Sequence, residues 1–463
     1  MFPWHSRRQF LKQTAAFAGS FAALRDCVHA ATHPGGSGVD SPYGPLVRDP
    51  EGLLDLPRGF SYQVISRTGA AMSDGLITPP KPDGMATFEG PDGVTLLLRN
   101  HESEPDFEPS PFGEGDALLS RLDPRKVYDS GPAAHRGGVS TVVYDTRNRR
   151  VVRDFLSLAG TARNCAGGPT PWGSWITCEE TVWKRGDFVD EVSGRLIRSA
   201  EDHGYNFEVP ARAEIGMVDP VPLRDMGRFV HEAVAVDPAT GVVYETEDRD
   251  DGLIYRFLPN KPGQIAAGGR LQALVVRGRP STDTRNWDSA DFSPGGVWEV
   301  QWIDMQDVES PNGDLHLRGH AAGAARFARG EGMWYSKGQV FFACTSGGRR
   351  KLGQIWRYQP GHSAKDGGRL ELFVESNDSA LLVNADNLTA SPWGDLFVCE
   401  DRDGPEVRIV GVTPSGGLYT FAHNHAQSEF AGVTFSPDAS TLFVNLQHEG
   451  MTVAIHGPWV SRA

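Results

Sequence analysis

A chain of 463 residues with a formal net charge of −14 is long enough for a large core and too acidic to offer nucleic acid the basic face it requires. Glycine (54) and proline (32) are abundant and helical periodicity is scarce, which points to many short strands joined by turns. The surplus of carboxylates suits hard cations such as calcium, although solubility alone accounts for it more simply.

The first residues read as an address. Ser6-Arg7-Arg8-Gln9-Phe10-Leu11-Lys12 is a twin-arginine export pattern, an apolar run follows over 15–24, and Val28-His29-Ala30 is a small-residue cleavage site. Residues 1–30 are therefore expected to be a signal peptide, 31–55 a flexible Gly/Ser/Pro-containing segment, and 56–463 a single domain, periplasmic or secreted. The apolar run is too short to span a bilayer and nothing later is long enough. Twin-arginine substrates are exported already folded, often with a cofactor in place, which favours a metal.

Beyond the leader, residues 60–66 alternate with period two yet have no hairpin partner nearby. Six repeats of one plan follow: a polar residue, a small residue, a strand, a tight turn, and a second apolar strand, ending in acid in most repeats. The first runs through 83–88 and 94–102, with outer strands at 138–145 and 151–158. The second is the stretch 160–180. The third takes 232–237, 242–248 and 253–257; the fourth 331–335, 340–344 and 354–358. The fifth takes 386–390 and 395–401; the sixth 431–435, 441–446 and 452–455. The shortest intervals approach the roughly 40–50 residues of propeller blades. An isolated meander cannot bury both faces, so the repeats must stack, and radial stacking predicts an all-β, six-bladed β-propeller with insertions, chiefly between 259 and 330. The sixth repeat shows only three strands. The strand at 60–66 is expected to supply its fourth and close the ring.

In a propeller the first strand of each blade lines the central channel. Its equivalent starting positions here are Asp83, Cys165, Glu232, Glu331, Asp386 and Ala431. Clustered carboxylates repel and resist desolvation, so this ring calls for cations, the competing reading being an acidic water-filled channel. Oxygen donors suit Ca2+, and a thiolate among them suits a softer metal such as iron. Asn164, Asn387 and Glu179 or Glu180 are further oxygen donors. Cys178, Cys344 and Cys399 each end an apolar strand and read as small buried hydrophobes, whereas Cys165 precedes its strand. Arg329, two residues before Glu331, could clamp an anionic substrate bidentately or simply be a solvated surface group. His101-Glu102 and His231 could be metal ligands, although both histidines read more simply as hydrogen-bonded structural groups at strand ends; Trp172 and Trp393 read as turn residues. No nucleophile elbow, His-Glu-x-x-His helix or phosphate-binding glycine loop is present.

Arg-Asn-His-Glu at 99–102, Asn-Cys-Ala-Gly-Gly-x-Thr-Pro-Trp-Gly-x-Trp-x-Thr-Cys-Glu-Glu at 164–180, His-Glu-Ala at 231–233, Arg-x-Glu-Gly at 329–332, Gly-Gln-Ile-Trp-Arg-Tyr at 353–358, Asp-Asn-Leu at 386–388 and Glu-Phe-Ala-Gly-x-Thr-Phe-Ser-Pro-Asp at 429–438 occur in that order. Together with the leader they resemble the PhoX-type alkaline phosphatases. That resemblance implies a six-bladed propeller whose pocket holds iron (Fe3+) and Ca2+ and hydrolyses phosphate monoesters. Carried over by motif, Cys165 would ligate iron. Glu232, Glu331 and Asp386 would hold iron or calcium, with Asn164, Glu180, Asn387 and Asp83 as further donors, and Arg329 would grip the phosphate. Small phosphorylated substrates, the twin-arginine machinery and a monomeric state complete the expectation. Two alternatives remain at this point: a calcium-dependent lactonase or phosphotriesterase-like hydrolase, and a non-catalytic calcium-stabilised binding propeller of the cell envelope.

Overall fold

Short apolar runs bounded by Gly, Pro, Asp and Ser turns leave the chain few options other than hairpins, and hairpin follows hairpin throughout the computed structural model. The structure describes residues 36–459 except 132, 191–193, 364, 365 and 403; the expected leader lies outside the described residues. Among the described residues regular structure is nearly all strand, with short 3-10 turns and the seven-residue helix Leu315–Ala321. No helix there is long and apolar enough to cross a membrane.

The sheets form a propeller-like, all-β arrangement. One has four strands, Pro82–Glu89, Thr95–His101, Gly137–Asp145 and Arg150–Thr161; another has three, Asn164–Pro169, Ser174–Glu179 and Asn206–Pro210. Both are antiparallel meanders. A nine-stranded sheet starts at His231–Val236, ends at Gly330–Ser336, and brings these two end strands back beside each other. Separate sheets were expected for these two repeats. The insertion after Pro259 joins them, because its strand Val297–Asp304 pairs with Gly269–Val276 on one side and Gly368–Glu375 on the other. Backbone groups at an exposed sheet edge seek partners, and here each half covers the edge of the other.

The chain ends meet as the sixth repeat requires. Ser61–Arg67 pairs antiparallel with Met451–His456 and completes the four-stranded sheet begun by Phe430–Phe435 and Thr441–Leu446. The segment before it departs from the flexibility its composition predicts. Leu46–Val47 and Leu54–Pro57 extend the sheet of Ala385–Ala390, Leu396–Glu400, Val407–Val412 and Leu418–Asn424 to six strands. Asp49 accounts for part of this order: its carboxylate accepts from the backbone N–H groups of Glu51, Leu53 and Leu54 and from the Tyr62 hydroxyl, supplying the hydrogen bonds of a tight turn.

The core lies between neighbouring sheets. Phe397 and Phe421 of one sheet, Phe435 of the next and Trp459 pack edge to face or stacked, and Phe327 packs edge to face against Phe342 and Trp356 of the nine-stranded sheet. Each such side chain contributes roughly 1.5–3 kcal/mol on burial. Cys178, Cys344 and Cys399 sit within these cores, as buried strand-end thiols should. Trp393 stacks on Trp459, and Trp172 donates to Glu208, so both turn tryptophans are packing groups.

Candidate functional site

Six strands, Pro82–Glu89, Asn164–Pro169, His231–Val236, Gly330–Ser336, Ala385–Ala390 and Phe430–Phe435, neighbour one another around a common axis. Each carries an irregularity near its start, after the first residue in five of them and after the second in Phe430–Phe435. Pairing slips between Pro82 and Met85, Asn164 and Gly167, His231 and Val234, Gly330 and Met333, Ala385 and Leu388, and Ala431 and Thr434. A bulge re-aims side chains that a regular strand would alternate between its faces. In the first five strands the bulged stretch begins with Asp83, Cys165, Glu232, Glu331 and Asp386, each the second residue of its strand. The residue after it is small or compact because the next inner strand lies against it: a Cβ on Gly332 would sit 2.6 Å from the Asp386 carbonyl oxygen.

These bulges bring donors from separated segments together. Cys165, Glu180 and Glu232 can place one donor atom each within 4.8 Å of one another, and so can Glu232, Glu331 and Asp386, with Glu232 common to both groups. Burial, with repulsion from Glu180 and Asp386, drives the Glu232 carboxyl well above its ordinary range. Burial and Asp248 do the same to Glu331, and burial and Glu102 to Asp83. Asp386 is pushed up to about 7 by burial and Asp401. The Cys165 thiol is raised by burial and by Glu232, and its nearest acceptor is the His231 carbonyl at 3.4 Å. Buried acids with so few hydrogen-bond donors are stable only when protonated or bound to cations. The donor set therefore fits metal ions: several hard oxygens and one soft sulfur.

A second tier comes from the strands paired to the inner ones. Past their ends stand Glu102, Glu180, Asp248, Asp401 and Gln447 at equivalent positions. Gln447 Nε2 donates to Asp83 Oδ2 (2.7 Å) and to Glu102 Oε2 (2.9 Å), which ties Asp83 to this tier. Two guanidinium groups lie above the acids. Arg329 makes a two-pronged pair with Asp248 (2.8 and 3.0 Å) and reaches Glu331 (2.8 Å) and Asp401 (3.3 Å). Arg163 pairs with Glu180 (3.2 Å) and Glu102 (3.3 Å). Glu331 holds Arg329, and Glu180 holds Arg163, above the ordinary guanidinium range, so both stay cationic. The Arg329 side chain is 35% exposed against 5% for Glu331, which puts cation outside and acid inside. Both arginines line a cleft of about 770 Å3 with Glu180, Asp248 and Arg249. Its other wall is mixed: Trp183, Phe188 and Val189, on and before the hairpin Gly186–Val189 and Leu196–Ser199, supply apolar surface beside Lys184, Arg185 and Asp187.

Of the residues singled out in the sequence, Cys165, Glu180, Glu232, Glu331 and Asp386 come together, Arg329 caps them, and Asp83 adjoins them. Asn164 and Asn387 have other engagements. Asn164 accepts from Thr161 Oγ1 and donates to Thr177 Oγ1. Asn387 donates to Asp386 Oδ1 and accepts from the Gly432 N–H, so it orients an acid. Glu179 is occupied by His203 and by the backbone N–H groups of Ala162, Gly204 and Tyr205. His101 lies between Pro80 O and Ser140, and His231 packs on Phe229. Arg163, Asp248 and Asp401 were not among the sequence candidates. A signal for Arg163 was available: it precedes Cys165 by two residues as Arg329 precedes Glu331, and both have φ near +50° (47° and 50°). Ala431 offers no donor, but Glu429, raised by burial and by Asp401, brings a carboxylate to the same region.

A scaffold that collects acids from separated strands into one buried group, under guanidinium ions at the mouth of a cleft, defines a metal-dependent hydrolase of anionic esters. The family model described as alkaline phosphatase PhoX matches residues 41–450, and the chain belongs to that family of metal-dependent phosphatases. Among solved structures it is similar to Pseudomonas fluorescens PhoX in complex with vanadate, a transition state analogue. The identity is 20%, 92% of this chain and 98% of that one are covered, and the TM-score is 0.67. A gluconolactonase from Xanthomonas campestris is more distant, at 13% identity over 90% of this chain and 99% of that one, with a TM-score of 0.35. No curated protein matches the sequence.

Proposed function

We propose that the six inner strands head six propeller blades, and that the acids between them hold iron and calcium ions used to hydrolyse phosphate monoesters. The observation that carries this is the pairing of two overlapping donor groups, Cys165–Glu180–Glu232 and Glu232–Glu331–Asp386, with two arginines at the same cleft. Cys165 would hold iron, as the only sulfur in the groups, and Glu232 would be shared between ions. Glu331 and Asp386 would hold iron or calcium, with Asp83 completing the oxygen set. When bound, the ions supply charge neutralisation for the phosphoryl oxygens and lower the pKa of a water molecule.

The chain's own residues supply the rest. Asp248 and Glu331 take Nε and Nη2 of Arg329 and fix its guanidinium plane, leaving Nη1, 3.3 Å from Asp401, to turn to a non-bridging phosphoryl oxygen. Arg163 approaches from the second repeat, with the inner strand His231–Val236 between it and Arg329, so charge that grows on the equatorial oxygens meets a cation on either side. Asn387 keeps Asp386 turned toward the group. The Trp183–Phe188 wall takes the organic part of the ester, leaving the phosphate on the polar side. Export by the twin-arginine route, a periplasmic or secreted location and a monomeric state belong to the same proposal. The family assignment displaces the lactonase and non-catalytic readings. Purified, metal-replete protein is expected to release phosphate from an aryl phosphate and to be inhibited by vanadate. Iron and calcium should both appear by mass spectrometry. Turnover unaffected by chelation, or calcium alone in an active preparation, would overturn the metal assignment.

A further inference from the structure

Away from the cleft, Asp55, His423 and His425 can place one donor atom each within 4.8 Å of one another. The cluster arises from strand register. Asp55 lies directly opposite His423 across the pairing of Leu54–Pro57 with Leu418–Asn424, so the two side chains share a face. His425, two residues on, returns to that face, and its backbone N–H donates to Leu53 O. Asp55 Oδ1 is occupied by the Asp49 N–H at 2.7 Å, which fixes the carboxylate and turns Oδ2 toward the rings. Oδ2 lies 3.0 Å from His425 Nε2 and 3.7 Å from His423 Nδ1. Donors about 2.0–2.1 Å from a tetrahedral ion stand roughly 3.3 Å apart, and these two separations bracket that edge.

His425 Nε2 meets only the Asp55 carboxylate. His423 Nε2 is buried without a hydrogen-bond partner, and the ring centroids are 4.7 Å apart. The side chains are 13%, 21% and 31% exposed, enough for an ion to enter and for water to fill a fourth position. Two imidazoles and one carboxylate suit a borderline transition-metal ion better than calcium.

We propose that Asp55, His423 and His425 form a zinc-type divalent metal site, separate from the catalytic cleft. It clamps the segment 36–57 onto the outer edge of the sheet beside it. Asp55 is the contribution of that segment, and both histidines come from the sheet, so an ion here bridges chain regions far apart in sequence. The site is structural: its ligands line no part of the arginine cleft.

The test uses the full chain without a histidine tag, stripped with chelator and then titrated with Zn2+ or Co2+. The double variant H423A/H425A is expected to bind about one equivalent of zinc less than the parent. It should also lose the intense visible bands of tetrahedral Co2+ and the rise in Tm on zinc addition, while keeping phosphatase activity. Should the double variant fail to fold, H425A and Asp55→Asn are compared instead, with the same loss expected. Equal zinc stoichiometry and unchanged cobalt spectra in folded variants would overturn the proposal and leave a His–Asp ion pair only.

Discussion

Arg163 and Arg329 occupy the same place in two repeats, one residue before the inner strand and two before its site residue, and both backbones are left-handed there. Non-glycine residues take that conformation at a cost, and here it turns each side chain toward the cleft. Replacing either by alanine is expected to lower kcat/KM for an aryl phosphate by about 10²–10³, with lysine recovering only part because it lacks the planar fork. Steady-state kinetics on both pairs of variants check this. At Cys165 the expectation differs. Cys165→Ser should lose iron and activity together while the fold persists, since serine fills the space but is a far harder ligand; metal content beside circular dichroism decides it. Asp386 sets a pH dependence. Its carboxyl rises from 3.8 to about 7 on folding without metal, so the folded state binds the extra proton. Its contribution is full below the unfolded value and is lost as pH climbs through about 7. Melting curves of chelated protein should therefore fall between weakly acidic and alkaline pH, and added metal should flatten the decline. A flat profile in the chelated protein would contradict the buried-acid account.

At the scale of the element, the recurring bulge decides what each inner strand presents. Regular alternation would send the residue beside Asp83 or Glu232 to the opposite face; the extra residue gathers them toward the axis. Neighbouring backbones must then approach closely. Gly432 has φ 64°, and a Cβ there would collide with the Asp83 carbonyl oxygen and lie 2.8 Å from Met85 Cγ. Gly432→Ala is expected to cost about 1–3 kcal/mol and, by displacing the Asp83 strand, to weaken metal retention as well. Denaturant unfolding and metal content measured on the same sample test both parts. The acid-then-small rhythm was legible because ligand and close approach recur at a fixed offset in the repeat. The acids beyond the second strands were visible as a pattern, but only Glu180 was assigned. Nothing local in the sequence says whether a strand-end acid faces the axis, as Asp248 does, or is held by backbone donors, as Glu179 is.

For the whole molecule, closure is the decisive event. Ser61–Arg67 is the outer strand of the last sheet, more than 380 residues in sequence from its partner Met451–His456. Non-local pairing of this kind repays its loop-closure entropy only late in folding. Deleting residues 36–57 is expected to leave a folded, active protein of lower Tm, because the loss falls on the edge of one sheet. Extending the deletion through 67 should abolish cooperative unfolding, because an inner sheet then loses a strand and the ring opens. Calorimetry of the two truncations distinguishes these outcomes.

The sequence by itself determined the strand-rich, propeller-like class, the strand that joins the chain ends, and the acids and single thiol that stand second in five inner strands. All of these rest on patterns within about ten residues: period-two apolarity, turn residues and a repeated offset. Only the tertiary structure decided that two repeats merge into one nine-stranded sheet, that the segment before residue 58 is paired, and that Asn164 and Asn387 serve neighbouring groups. It also revealed Arg163 as the counterpart of Arg329 and drew Asp55 to His423 and His425. The physical reason is the same in each case. These outcomes depend on which unpaired backbone edges, amides and charges meet across hundreds of residues, and a side chain's partner is chosen by proximity in the folded chain, not by its neighbours along it.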